Sequence, residues 1–195
     1  MIVTTALKQG ETLAEKAKKV SSELQVPFVL RNKQSLTRLQ SQYEADIFIV
    51  GQDRYDYYPI GSNEAIFFHP NVAMLRYKRL LKGEEDPFIT ATTLTEGMSI
   101  LDCTLGLASD AIIASLVTSK SGKVIGVEGH PVLAYIVRRG LATKKSDDEY
   151  WNEALRRIKV VSNDHLSYLK QCKDNSFDVV YFDPMFEQTI DESSG

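Results

Sequence analysis

From residue 99 onward, short apolar segments of strand length alternate with segments of helical length. This alternation is typical of a parallel β-sheet, because each pair of parallel strands has to be joined by a crossover connection that packs on one face of the sheet. No other feature of the sequence restricts the possible folds as strongly. The pattern predicts strands at 99–103, 123–128, 159–161 and 177–182, helices at 110–119, 131–143 and 165–172, and a surface loop or the start of a helix at 144–152.

The first part of the chain predicts a smaller α/β unit. Runs of β-branched and aromatic residues predict strands at 1–6, 27–30 and 46–50, and amphipathic patterns predict helices at 12–24 and 36–43. An aromatic, turn-rich segment follows, and a basic helix is predicted to start near Asn71. We therefore predict an N-terminal α/β region over residues 1–95 and a second α/β unit over residues 96–195.

The sequence ends about a dozen residues after the fourth predicted strand of the second unit. Doubly wound sheets usually continue with further strands, because parallel strands are covered on both faces. We therefore expect this unit to be incomplete at its C-terminus, or to be completed or covered by a partner such as a second copy of the chain.

Composition excludes several classes of protein. The 195 residues are 43% hydrophobic and 25% charged, which is ordinary for a globular chain. The longest apolar runs have strand length, so no membrane-spanning helix is predicted. There is no pattern of a secretory signal, and the two cysteines, Cys103 and Cys172, form neither a disulfide framework nor a zinc motif. We expect a cytoplasmic protein without a metal site.

The basic helix carries four closely spaced cations, and it allows two interpretations. The net charge of −3 argues against a surface that binds nucleic acid as a whole, but it permits a local basic patch. The residues form either an ordinary solvated helix face or a set of contacts to RNA phosphates. They are Arg76, Lys78, Arg79 and Lys82.

The strand at 99–103 runs into a tight loop and then a helix, with the sequence D-C-T-L-G-L-A-S-D from Asp102 to Asp110. Small residues in such a loop let a ligand approach the backbone, and the helix that follows presents free N–H groups. Thr104, Gly106 and Ala108 occupy the positions of a glycine-rich loop. With one glycine the pattern is also compatible with an ordinary strand-to-helix connection.

Polar residues also follow the second and third predicted strands. Glu128 and Gly129 end the second, where a carboxylate can accept hydrogen bonds from both hydroxyls of a ribose. Asp164 and His165 follow the third, where an adenine edge would lie if Glu128 holds the ribose. Asp164 is equally well explained as the N-cap of the next helix.

The fourth strand ends in Asp183-Pro184-Met185-Phe186. The carboxylate of Asp183 and the carbonyl of Pro184 can accept hydrogen bonds from an exocyclic amine, and Phe186 can stack on the ring that carries it. The alternative is a plain turn, in which Asp and Pro serve the turn geometry.

These motifs resemble class I S-adenosylmethionine-dependent methyltransferases, and in particular the RsmJ-type small-subunit rRNA guanine-N2 methyltransferases. The cofactor loop of that group is similar to D-A-T-A-G-L-G-R-D, and it also ends its fourth strand in D-P-M-F. The chain departs from it at Ala108, which replaces a glycine, and at Ser109, which replaces an arginine.

The resemblance implies an α/β fold with a Rossmann-like methyltransferase core and S-adenosylmethionine as the cofactor. It implies methyl transfer to an exocyclic base nitrogen in ribosomal RNA or the small ribosomal subunit, without a metal. A cofactor-binding module without catalysis is the alternative, and an NAD-dependent oxidoreductase fits less well. The cofactor-binding residues would be Asp102, Thr104, Gly106, Ser109, Asp110, Glu128, Gly129, Asp164, His165 and Asp183, and the catalytic ones Asp183, Pro184 and Phe186.

Overall fold

A computed structural model describes residues 1–7 and 10–183 of the chain. Its first part contains β1 (Ile2–Thr5), α1 (Glu11–Leu24), α2 (Leu36–Tyr43), β2 (Ile47–Val50), β3 (Tyr55–Tyr58), α3 (Asn71–Leu80) and α4 (Pro87–Thr92). Its second part contains β4 (Ser99–Asp102), α5 (Ser109–Thr118), β5 (Lys123–Glu128), α6 (Pro131–Thr143), α7 (Glu149–Arg157), β6 (Lys159–Ser162), α8 (His165–Leu169) and β7 (Val179–Tyr181).

The second part forms a four-stranded parallel sheet in the order β6-β5-β4-β7, which confirms the predicted α/β fold. The chain proceeds from β4 to β5 to β6 in one direction and then returns to the other side of β4. Helices α5, α6 and α7 share one buried cluster with Ile100 and Val124, whereas α8 packs with Leu101 and Ile125 on the opposite face. The strand order reverses beside β4, and α/β sheets bind their ligands at the carboxyl ends of strands at such a point.

Helices α3 and α4 pack with the second sheet rather than with the first. Ala73 and Tyr77 of α3 and Phe88 of α4 lie in the same buried cluster as residues of α5. The predicted division at residue 95 therefore separates these helices from the core into which they pack. Helix α4 was not predicted, although Asp86 caps it by accepting from the N–H of Phe88 and Pro87 stands at its start.

Helix α7 starts at Glu149, so of the two alternatives predicted for residues 144–152 the start of a helix is confirmed. Asp148 caps the helix by accepting a hydrogen bond from the N–H of Trp151, and the Trp151 side chain is only 1% exposed. The ring of Trp151 stacks on Tyr77 with 5.5 Å between the ring centroids. Trp151, Ala154 and Leu155 form the apolar buried side of this otherwise mostly polar helix.

The first sheet has the order β1-β2-β3, with β1 and β2 parallel and β2 and β3 antiparallel. The predicted strand at 27–30 is wrong, because the segment makes only one bridge to β1, between Phe28 and Val3. The chain then leaves β1 through Asn32 and Lys33, which both have positive φ angles. This left-handed turn prevents an extended segment from continuing through residues 32 and 33.

Helix α6 joins the two sheets because it is apolar on two sides. Ala134, Val137 and Leu141 pack into the core of the second sheet. Val132, Tyr135 and Ile136 pack against the first sheet together with α1. A helix with two apolar faces has to be covered on both, so the first sheet and the second sheet are built on one shared helix.

Gly140 allows a close approach on the same helix. The ring of Phe68 lies against its Cα atom, in the space that a β-carbon at this position would occupy. The segment that leads from the first sheet to α3 can therefore pack directly on the backbone of α6.

We predict that Ile136→Ala destabilises the protein by about 2 to 5 kcal/mol, because it leaves a cavity where α6 meets the first sheet. Ile136 is 1% exposed. Urea unfolding followed by circular dichroism measures the change in the free energy of unfolding. The matched control is Leu75→Ala, since Leu75 is 62% exposed and its loss should change stability by less than about 0.5 kcal/mol. Equal effects of the two variants would contradict the shared core.

Candidate functional site

The carboxyl ends of β4, β5 and β7 bring the predicted site residues to one edge of the sheet. Asp102 ends β4, Glu128 ends β5, and Asp183 follows β7 by two residues. The loop after β4 is hydrogen-bonded from both sides. The N–H of Gly106 donates to Oε2 of Glu128 at 3.0 Å, and the N–H of Asp183 donates to Oγ1 of Thr104 at 2.8 Å. The loop therefore connects the tips of both neighbouring strands.

The loop itself, residues 103–108, has a conformation fixed by local contacts. Oδ1 of Asp102 accepts from the N–H of Thr104 at 3.0 Å, and the N–H of Leu105 donates to the carbonyl of Val127 at 3.1 Å. The side chain of Leu105 lies on Gly126, where a β-carbon would overlap it. Gly126, which was not predicted as a site residue, thus allows the loop to pack directly on β5.

Ala108 ends the loop in a left-handed conformation, with φ at +66°, and starts α5. This conformation costs a residue with a β-carbon roughly 1 kcal/mol, and glycine adopts it freely. The departure from the glycine of the resembled group therefore keeps the backbone geometry at an energetic cost. The side chain of Ala108 is fully buried, so packing offsets part of that cost.

Glu128 is oriented by two backbone N–H groups. Its Oε2 accepts from Gly106, and its Oε1 accepts from His130 at 2.8 Å. A carboxylate oxygen can accept more than one hydrogen bond, so both oxygens keep capacity for further donors. The side chain is half-buried, and the neighbouring Gly129 faces open space. The tip of β5 thus presents a fixed pair of acceptors beside an unobstructed backbone.

Asp102 is the buried acid of the site, with 3% of its surface exposed. Burial, with the negative charges of Asp110 and Asp183 adding to its effect, raises the pKa of Asp102 to about 7, although the N–H of Thr104 opposes the shift. At neutral pH the carboxyl group therefore carries a proton for a substantial part of the time. A proton here reduces the repulsion among three acids at the same edge of the sheet.

Arg76 corrects the prediction of an exposed basic helix. Its guanidinium binds Asp86 at 2.8 Å and Asp110 at 2.6 Å, and it donates to Oγ of Ser109 at 3.3 Å. Although burial lowers the pKa of Arg76, the hydrogen bonds to the two aspartates raise it above its ordinary value. This half-buried side chain holds the start of α5, and its donors are occupied by protein groups rather than free for RNA phosphates.

The other three cations of that predicted set differ in their surroundings. Arg79 forms an exposed ion pair with Glu84 at 2.7 Å. Lys78 and Lys82 are exposed, and Lys82 lies beyond the end of α3. These three side chains are exposed, and a contact between them and RNA stays a prediction.

The tip of β6 places Asp164 and His165 at the start of α8. Oδ1 of Asp164 accepts from the N–H of Ser167 at 2.9 Å, and this hydrogen bond lowers the pKa of Asp164. The capping interpretation is thus confirmed, and a contact to adenine stays a prediction. The ring of His165 packs edge-on against Phe182, and the N–H of Asn163 donates to the carbonyl of Glu128 at 3.1 Å.

Two of the predicted catalytic residues, Pro184 and Phe186, lie outside the described residues, so only Asp183 of the D-P-M-F segment is placed. The role of Arg76 in holding Asp86 and Asp110 was not predicted, because these partners lie 10 and 34 residues away and no local motif connects them.

In residues 1–7 and 10–183, no three His, Cys, Asp or Glu side chains group as a metal site, and no helix is long and apolar enough to cross a membrane.

Comparison with known proteins identifies a family that covers more than half of the chain. A protein-family profile described as "Putative SAM-dependent methyltransferase", where SAM is S-adenosylmethionine, matches residues 61–194. The chain belongs to this methyltransferase family. The match begins ahead of α3, so it includes the two helices that pack with the second sheet. Membership implies S-adenosylmethionine as the cofactor.

Several proteins resemble this family member over different parts of its length. YpiP of Bacillus subtilis, described as uncharacterized, is 43% identical over 194 residues, which cover 100% of this chain and 75% of that protein. Ribosomal RNA small subunit methyltransferase J of Acinetobacter baylyi is 33% identical over 100 residues, and that of Vibrio campbellii is 39% identical over 110. The chain covers only 36% and 41% of these two enzymes.

A solved structure shows the same fold. The SAM-dependent methyltransferase NGO1261 of Neisseria gonorrhoeae superposes with a TM-score of 0.60 and covers 95% of this chain and 70% of its own. The sequence identity is 16%, so the likeness concerns the arrangement of strands and helices.

We predict that Asp102→Asn changes how stability depends on pH. The folded pKa of about 7 lies above the ordinary value of 3.8, so the folded protein holds a proton that the unfolded chain releases. Stability is therefore lost as the pH rises through this window, by about 1.4 kcal/mol for each pH unit. The asparagine cannot ionise and keeps an oxygen for the N–H of Thr104. In urea titrations, the variant should gain stability relative to the parent between pH 4 and pH 7. Parallel curves for both proteins would contradict the burial of a protonated Asp102.

Proposed function

We propose that this methyltransferase-family protein transfers a methyl group from S-adenosylmethionine to an exocyclic base nitrogen, guanine N2 in ribosomal RNA. The observation that carries the proposal is the hydrogen bond from the N–H of Asp183 to Thr104, at 2.8 Å. It connects the acid of the fourth strand to the loop that Glu128 holds on its other side. Groups suited to a methyl acceptor and groups suited to the cofactor thus meet at the loop after β4.

The donors and acceptors at the strand tips fit the cofactor. Glu128 would accept hydrogen bonds from the ribose hydroxyls, and Asp164 from the amine of the adenine. Ser109 and Asp110, which Arg76 holds in place, together with the loop backbone, would contact the methionine part. Bound S-adenosylmethionine supplies an electrophilic methyl group on a positively charged sulfur, and the carboxylates at this edge favour a cation.

The acceptor amine needs orientation more than it needs a base. The lone pair of an aromatic amine is delocalised into its ring, so acceptors at Asp183 and at the carbonyl of Pro184 would turn the nitrogen toward the methyl group. Orientation of reacting groups contributes roughly 7 to 11 kcal/mol at best, which makes a strong proton-abstracting base unnecessary. Phe186 would stack on the base, and Lys78 and Lys82 offer exposed charges for phosphates.

We expect Glu128→Ala to weaken the binding of S-adenosylmethionine by about 1.5 to 3 kcal/mol, through the loss of hydrogen bonds to a charged group. Isothermal titration calorimetry measures the affinity, and the melting temperature of each protein without cofactor reports any loosening of the loop. Glu96→Ala, at the opposite end of the sheet, is the matched control, because Glu96 is an exposed glutamate ahead of β4. An unchanged affinity of the Glu128 variant would remove this residue from the cofactor site.

Asp183→Asn should lower methyl transfer by at least about tenfold, equivalent to 1.4 kcal/mol, because one acceptor oxygen becomes an NH2 donor. The backbone N–H that binds Thr104 is retained. The assay measures incorporation of labelled methyl groups into undermodified small ribosomal subunits.

Asp174→Asn provides the same chemical change at an exposed position ahead of β7. If the Asp183 variant matched this control on an accepted substrate, the acceptor assignment would be wrong. If the parent bound S-adenosylmethionine but methylated no RNA, DNA or small amine, a cofactor-binding module without catalysis would replace the proposed enzyme.

A further inference from the structure

A cleft separate from the candidate methyltransferase site lies between the first sheet and the C-terminal half of α6. It has a volume of about 640 Å³ and is bordered by the turn between β2 and β3, by the segment ahead of α3 and by the end of α6. Ligand sites in proteins occupy roughly 300 to 1,000 Å³, so the cleft is large enough for a nucleotide. None of the cofactor or acceptor residues placed above lines it.

The lining of the cleft is cationic. It includes Lys16, Arg54, Lys144 and Lys145 against a single carboxylate, that of Asp53. Lys144 and Lys145 are exposed, and among the described residues neither forms an ion pair. Their ammonium groups are therefore available to an anion. On a chain with a net charge of −3, this is a local concentration of positive charge.

Aromatic side chains accompany the cations. The guanidinium of Arg54 lies over the ring of Phe67, 4.2 Å from its centroid, while its Nε binds Asp56 at 2.8 Å. This arrangement holds the guanidinium plane in place, and the Arg54 side chain remains 54% exposed. Arginine planes and aromatic rings are the surfaces on which unpaired RNA bases stack. The ring of His69 packs against Phe67, and its buried Nδ1 has no hydrogen-bond partner among the described residues.

The walls of the cleft are fixed by the fold. Nζ of Lys16 donates to the carbonyls of Gly51 and Gln52, at 2.9 Å each, and so holds the turn between β2 and β3 against α1. On the opposite side, Phe68 rests on Gly140 of α6. The cations and the stacking surface are thus presented by a preformed site, which lowers the entropic cost of binding.

The cleft lies at a distance that an RNA strand can bridge. Helix α6 starts at Pro131, at the carboxyl edge of the sheet, and Gly140 borders the cleft nine residues later. At 1.5 Å per residue this is about 13 Å along the helix. A stacked strand, which rises about 3.4 Å along its axis for each nucleotide, would cover it with about four nucleotides.

We propose that this cleft binds a nucleotide of the RNA substrate at a distance from the methylated base, with Lys144 and Lys145 on phosphate and Arg54 stacked on the base. This proposal rests on the proposed function. It extends the substrate of that function from a single base to a strand of RNA. Charge and an aromatic stack in one cleft are the two features by which proteins hold single-stranded RNA.

The experiment measures binding of a short fluorescein-labelled single-stranded RNA by anisotropy, between about 50 and 200 mM salt. Replacing both lysines, Lys144→Ala with Lys145→Ala, should lower the slope of log affinity against log salt by about 1.4, or 0.7 for each lost phosphate contact. Arg54→Lys keeps the positive charge but removes the planar guanidinium group on which a base could stack. It should lower affinity at least about fivefold while the salt slope stays unchanged.

Lys18→Ala with Lys19→Ala is the matched control, because these exposed lysines of α1 do not line the cleft and their loss changes the net charge equally. Cofactor affinity should remain that of the parent in every variant. If the Lys144 and Lys145 variant lost no more than the control, or if a free nucleoside monophosphate filled the cleft without competition from RNA, the proposal would be overturned.

The same measurements separate this proposal from the proposed function. If the parent protein binds and methylates RNA while the cleft variants behave like the control, only the proposal about the cleft is overturned. A parent protein that neither binds nor methylates RNA contradicts both.

Discussion

The hydrogen bonds that hold the loop after β4 between its two neighbouring strands are the constraint on which the site depends. Glu128 fixes one side of this loop through Gly106, and Asp183 is fixed to the other side through Thr104. Because β5 and β7 flank β4 in the sheet, these contacts form only when the parallel strand order is complete. The completed sheet therefore places the candidate cofactor and acceptor groups around one loop.

This arrangement carries energetic costs that the surrounding structure offsets. A buried acid, Asp102, stands beside two others, and Ala108 adopts a conformation that suits glycine. Arg76 provides compensating charge, since it binds Asp110 and Asp86 together and connects α3 and α4 to the start of α5. Helices that looked like part of the N-terminal region thus support the site.

Local periodicity was sufficient to predict most of the second sheet. The bounds of β5 and α6 agree with their predicted ranges, because a continuous apolar strand and a proline at a helix start are local signals. The role of Arg76 could not be predicted in this way. It depends on partners far away in the sequence. The predicted strand at 27–30 is reduced to one bridge, between Phe28 and Val3.

A crystal structure of this chain with S-adenosylhomocysteine, the demethylated product, tests the central claim most directly. The account predicts the ribose hydroxyls on the carboxylate of Glu128, and the sulfur between the loop after β4 and Asp183. A ligand bound elsewhere, or contacts that leave Glu128 and the loop free, would contradict it.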